Sequence, residues 1–218
     1  MVKILLSIVL SCGLIGSALG VDNPSAKPAV PALPTNFSLV KKFTYRDKTL
    51  PEDASETAKA AAAFLSRFPR PLQVEVVQTG AVRKEDVRMT DGSRWENWKS
   101  GEYRFSVNES SPDYIDVSAP GMSLYQVAEK ADFEELTWLS GATSAGEGEK
   151  NGRKCAIFRS GDQTVWLELS SGFPVQLESP TMQVTYTFKN PPTESLRLPE
   201  KFNKRLEEVS KAWAGRPN

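Results

Sequence analysis

Between Asn151 and Phe188 the chain reads NGRKCAIFRSGDQTVWLELSSGFPVQLESPTMQVTYTF, and in several runs of it apolar residues recur on every second position. Met182, Val184, Tyr186 and Phe188 share one side, and Gln183, Thr185 and Thr187 take the other. Val175 and Leu177 alternate with Gln176 and Glu178, and Val165, Leu167 and Leu169 with Thr164, Trp166 and Glu168. A period of two is what a half-buried antiparallel strand requires. Asn151-Gly152, Gly161-Asp162, Ser171-Gly172-Phe173-Pro174 and Ser179-Pro180 are turn signals that divide the stretch into four strands.

Upstream the same grammar continues. Phe37 to Arg46 is the first strand candidate. From Leu72 onward strands return, with Asp91-Gly92 as a two-residue hairpin between Val82–Thr90 and Ser93–Trp98. Tyr103, Phe105 and Val107 alternate with polar neighbours, and Tyr114–Ser118 and Met122–Val127 follow across Pro120-Gly121. Helical spacing is found in two longer segments. Thr49-Leu50-Pro51-Glu52 resembles a capping box that opens Glu52–Arg67, whose Ala58, Ala61, Ala62 and Leu65 give a shallow face suited to lying close on a sheet. Pro199 opens a second helix with Phe202, Leu206, Val209 and Trp213 as its stripe and Gly215 at the C-cap. Asp132–Leu139 fits a short helix, and Gly141–Lys150 a polar loop or weak edge strand. With about eleven strand candidates spaced as in sandwiches and barrels, the expected fold is mainly β (α+β). It is a curved antiparallel sheet, or incomplete β-barrel, with its helices covering or plugging one face.

The first twenty residues, MVKILLSIVLSCGLIGSALG, place Lys3 before an apolar run and end in Ala18-Leu19-Gly20. That is the pattern of a secretory signal peptide, and the run is too short to span a bilayer. Cleavage before Val21 gives a periplasmic or secreted protein. A lipid anchor through Cys12 is the alternative, although Leu10 stands where a small residue is preferred. Residues 21–36 carry Pro24, Pro28, Pro31 and Pro34 and read as a polyproline-like or disordered leader. Residues 37–215 make one domain of ordinary size.

Composition excludes several functions. Lys and Arg number 27 against 27 Asp and Glu, so nothing favours a nucleic-acid phosphate backbone. There is no histidine, which removes Ser-His-Asp and Cys-His catalysis and histidine metal sites. With Cys12 in the leader peptide, Cys155 is left alone and reads as a buried strand residue. No glycine-rich phosphate loop is present, and Glu134-Glu135 and Glu207-Glu208 lie on expected solvated helix faces. No catalytic residue, metal or cofactor is assigned. The aromatics are more informative. Trp166 stands opposite Val165 and Leu167, so that strand has apolar residues on both faces. Such a sheet needs cover on both, by ordinary core or by a ligand cavity. Trp95, Tyr103, Phe105, Tyr125, Trp166 and Tyr186 are the candidate ligand-binding residues on the concave face.

Asn151-Gly152-Arg153-Lys154-Cys155, then Val165-Trp166-Leu167-Glu168, then Ser171-Gly172-Phe173-Pro174-Val175-Gln176-Leu177-Glu178, closing at Leu198-Pro199 and Phe202, resembles the periplasmic lipoprotein-carrier superfamily. These are the LolA/LolB-like outer-membrane lipoprotein-sorting proteins and their lipid-carrier relatives. The likeness spans residues 70–200. It implies a curved, incomplete antiparallel barrel with helices plugging an apolar cavity for acyl chains. The proline leader and the long Pro199–Trp213 helix depart from that pattern, and no transfer residue carries over. The expected function is a non-enzymatic, monomeric binder or carrier of a lipid or acylated lipoprotein in the bacterial envelope. The alternative is an envelope interaction module of the same fold with a filled core and no ligand.

Overall fold

The computed structural model describes residues 28–46, 53–118 and 132–214. One antiparallel sheet dominates it. Its strands are β1 (Asn36–Tyr45), β2 (Pro71–Thr79), β3 (Val82–Met89), β4 (Arg94–Ser100), β5 (Tyr103–Asn108), β6 (Ile115–Ser118), β7 (Thr143–Lys150), β8 (Arg153–Ser160), β9 (Gln163–Glu168), β10 (Pro174–Glu178) and β11 (Met182–Lys189). They lie in the order β6-β5-β4-β3-β2-β1-β11-β10-β9-β8-β7. The outermost strands, β6 and β7, do not pair with each other, so the sheet is unclosed. The four strands expected after Asn151 are present, and the segment read as loop or weak edge is the edge strand β7. Asn151 and Gly152 form the β7–β8 turn with φ of 51° and 75°. A type I′ hairpin needs both residues in that left-handed region, which asparagine and glycine reach at least cost.

β1 is the middle strand, and it joins two meanders. It pairs with β2 through Leu39 opposite Val76 and with β11 through Lys41 opposite Tyr186. Three segments outside the strands carry helices. The first carries α1 (Glu56–Leu65) between β1 and β2. The second leads from β6 to β7, from one edge of the sheet to the other, and includes a 3-10 helix, Glu134–Gly141. The third follows β11 and ends in α2 (Glu200–Ala214).

The second and third of these fill two cores on opposite faces. On one face Phe37, Leu39, Val76, Val165, Leu167, Leu177, Val184 and Tyr186 pack beneath Leu136 and Leu139 of the 3-10 helix. On the other, Trp98, Phe105, Val107 and Ile115 pack around Phe202 of α2, joined by Leu196 and Leu198. The register settles the sidedness: directly paired residues share a face. Trp98 leads through Lys84 and Val77 to Ser38, the neighbour of Leu39 on the opposite side of β1. Phe202 lies 5.2 Å from Phe105 and 6.0 Å from Trp98, ring centroid to centroid.

The expected pair of helices on a single face is therefore not the arrangement found. α1 is shorter than expected, and all its described side chains are exposed, Phe64 at 58%. The cause is physical. A helix linking two adjacent strands starts and ends at the same end of the sheet, and Ala60, Ala62 and Ala63 offer little apolar area to reward docking. Met122–Val127 lies outside the described residues. The leader, where described, is not detached, since Val30 and Leu33 pack against the first core.

Phe202 is fully buried, so Phe202→Ala should cost about 3–5 kcal/mol in urea unfolding, whereas Phe64→Ala should stay within about 0.5 kcal/mol. Equal losses would show that α1 is core.

Candidate functional site

β1 places Phe37, Leu39, Lys41, Phe43 and Tyr45 on one face, so a lysine stands in an apolar row. Lys41 is 8% exposed. An unpaired ammonium there would be prohibitively costly, and the 3-10 helix supplies its partner. Lys41 Nζ donates to both Glu135 carboxylate oxygens, at 2.9 and 3.3 Å, and to the Asp132 carbonyl. The Tyr186 hydroxyl, on the strand position directly opposite Lys41, donates to Glu135 Oε1 at 2.8 Å. Nζ also lies 5.2 Å from the centre of the Phe133 ring and 5.9 Å from that of Tyr186. Next to this cluster, Arg83 of β3 pairs with Asp132 and with Glu85. The β6–β7 crossover is thus pinned over β1, β3 and β11 by charge as well as by Leu136 and Leu139. Burial, and then the Glu135 charge and hydrogen bond, push the Tyr186 hydroxyl well above its ordinary value.

Above this anchor lies a groove of about 340 Å3. Pro28–Leu33 forms one wall, and Phe133, Leu136 and Leu139 with the polar Asp132, Thr137 and Ser140 form the other. The leader is held where it is by a close approach. A Cβ on Gly172, whose φ is +72°, would sit 3.0 Å from Pro31 Cγ. Glycine is needed there twice, for the backbone angle and for Pro31.

A second cleft, about 520 Å3, lies over β2 to β5 beside Lys201. Its charges are largely paired: Lys84 with Asp86, Lys201 with Glu96, Arg94 with Glu109. Burial would raise the Glu96 carboxyl, but the Trp98 indole N–H, Lys201 and Lys84 hold it below its ordinary value. Among the described residues no group of three or more Cys, Asp or Glu could hold a metal ion, and no helix is long and apolar enough to cross a membrane.

The six aromatics expected to share a cavity do not converge. Tyr186 is buried under the crossover, and Phe105 is buried on the opposite face against Phe202. Tyr103 shares the Phe105 face but is 40% exposed. Trp166 is half-buried on that same side of the sheet, with Lys150 Nζ 4.2 Å from its ring centre. Trp95 is 38% exposed at the rim of the second cleft. Tyr125 lies outside the described residues. Cys155 is buried, its thiol pushed up chiefly by that burial. Reading the sequence for aromatics missed Lys41 and Glu135, and reading the leader as disordered missed Val30 and Leu33. No family model matches the chain, and no curated protein matches it.

Two outcomes follow from the anchor. Lys41→Met leaves the Glu135 carboxylate without its buried cation and should cost about 3–5 kcal/mol, while the pair Lys41→Met with Glu135→Leu should recover much of that; urea unfolding of the single and double variants checks this. Tyr186 has a raised folded value, so its contribution is intact below the ordinary tyrosine value, about pH 10, and is lost as pH rises beyond it. Stability should fall above that pH, and Tyr186→Phe should flatten the fall.

Proposed function

We propose that this chain is a non-enzymatic binding protein of the bacterial envelope that holds one apolar chain in the groove between residues 28–33 and the crossover helix. The ligand class is a lipid or the acyl group of a lipoprotein. The observation that carries this reading is the groove itself, whose walls combine Val30 and Leu33 with Phe133, Leu136 and Leu139. Its volume falls in the range of small-molecule sites, about 300–1,000 Å3. Binding there would be driven by buried area, at about 25 cal/mol per Å2. Head groups would be tolerated, because the groove's polar residues are few and uncharged apart from Asp132.

The unclosed eleven-stranded antiparallel sheet supports reading the chain as a diverged relative of the lipoprotein carriers, exported by residues 1–20. A second reading is an interaction module with a filled core. It is favoured by the burial of Phe105 and Tyr186 in ordinary packing.

Native mass spectrometry of the protein purified from a periplasm separates the two. Bound lipid is expected, and a bare mass together with no uptake of a fluorescent fatty acid would leave the module. Leu33→Glu should weaken that uptake about tenfold or more, roughly the transfer cost of a charge into an apolar wall. Trp95→Ala, in the other cleft, should leave uptake unchanged.

A further inference from the structure

The end of the sheet where β1 stops, β2 starts and β3 stops gathers four arginines. Arg46 follows β1, Arg67 and Arg70 lie between α1 and β2, and Arg88 is near the end of β3. All four are exposed. Among the described residues none of the four meets a carboxylate. Arg46 reaches only the Gln183 amide oxygen, at 3.4 Å. Arg70 lies over the Tyr45 ring at 4.0 Å, and its backbone N–H donates to Thr90 Oγ1, which ties the α1–β2 segment to the ends of β1 and β3. Three described acids nearby are already engaged. Glu56 pairs with Lys59 and Glu109 with Arg94. Asp91 accepts from the backbone and hydroxyl of Ser93.

The same end carries exposed aromatics. Phe64 and Phe68 are 58% and 52% exposed and touch edge to face, with centroids 4.9 Å apart. They project from a segment whose other described side chains are mostly small, Ala60, Ala62 and Ala63. Two large exposed apolar groups at the same end as four exposed guanidinium groups, none of which meets a carboxylate among the described residues, call for a partner that is apolar and anionic at once. A helix with aromatic residues beside basic ones lies in a bilayer interface, its rings among the acyl chains and its cations at headgroup depth. Guanidinium groups bind phosphate oxygens in pairs of hydrogen bonds.

We propose that this end of the sheet docks on an anionic lipid surface, with Phe64 and Phe68 inserted and Arg46, Arg67, Arg70 and Arg88 on the phosphates. The proposal does not depend on the groove holding a ligand.

The test is co-sedimentation of the exported protein with vesicles of phosphatidylcholine alone and with one third phosphatidylglycerol. Binding is expected only to the anionic vesicles and should weaken with added salt. Arg67→Gln and Arg70→Gln should each lower it about fivefold, and the pair Phe64→Ser with Phe68→Ser should lower it about tenfold or more. Circular dichroism and thermal melting should match wild type, since these side chains are exposed. Absent binding, equal binding to both vesicles, or binding untouched by the substitutions would overturn the proposal. The last result would point to an acyl anchor or to the groove.

Discussion

The fold depends on the backbone ladder of β1. Remove it and the other ten strands become two separate meanders, β2 to β6 and β7 to β11, with nothing else joining them edge to edge. From Phe37 to Lys41 the strand is buried on both faces. Central strands of a wide sheet need cover on both sides, because neither face can be left to water when both carry apolar residues. Closure would be one way to limit exposed surface, and this sheet does not close. It is instead strapped, by the β6–β7 crossover on one face and by the chain after β11 on the other.

Each strap is held differently, and the difference bears on function. α2 docks by hydrophobic packing around Phe202. The crossover adds a buried ion pair, Lys41 with Glu135, shared with Tyr186. Buried pairs of this kind contribute little net stability over an apolar replacement, but here the hydrogen bonds of Lys41 and Tyr186 to Glu135 hold the crossover in position. Lys41 therefore fixes where the 3-10 helix sits, and with it one wall of the groove. The leader, lodged through Pro31 against Gly172, fixes the other.

Much of the sheet was legible because its signals are local. Asn151-Gly152 dictates a turn through its own backbone, and Met182 to Phe188 declares its faces by alternation. The candidate site was less legible because it is built from distant residues. Lys41 and Glu135 are 94 positions apart. The hint lay in Lys41 itself, a lysine in the apolar row of Phe37, Leu39 and Phe43, but nothing nearby in sequence named its partner. The aromatics misled for a related reason. Period two tells that Phe105 and Tyr186 face inward along their own strands, not that the two strands bury opposite faces. That follows from the chain of registers across β1 to β5.

On the proposed reading, residues 28–33 and the crossover form one ligand-bearing unit held over β1. Hydrogen–deuterium exchange with and without a saturating long-chain fatty acid tests it directly. Added protection is expected in residues 28–33 and 132–141 together, with β3 and β4 unchanged. Protection confined to the strands around the second cleft, or protection nowhere, would contradict it.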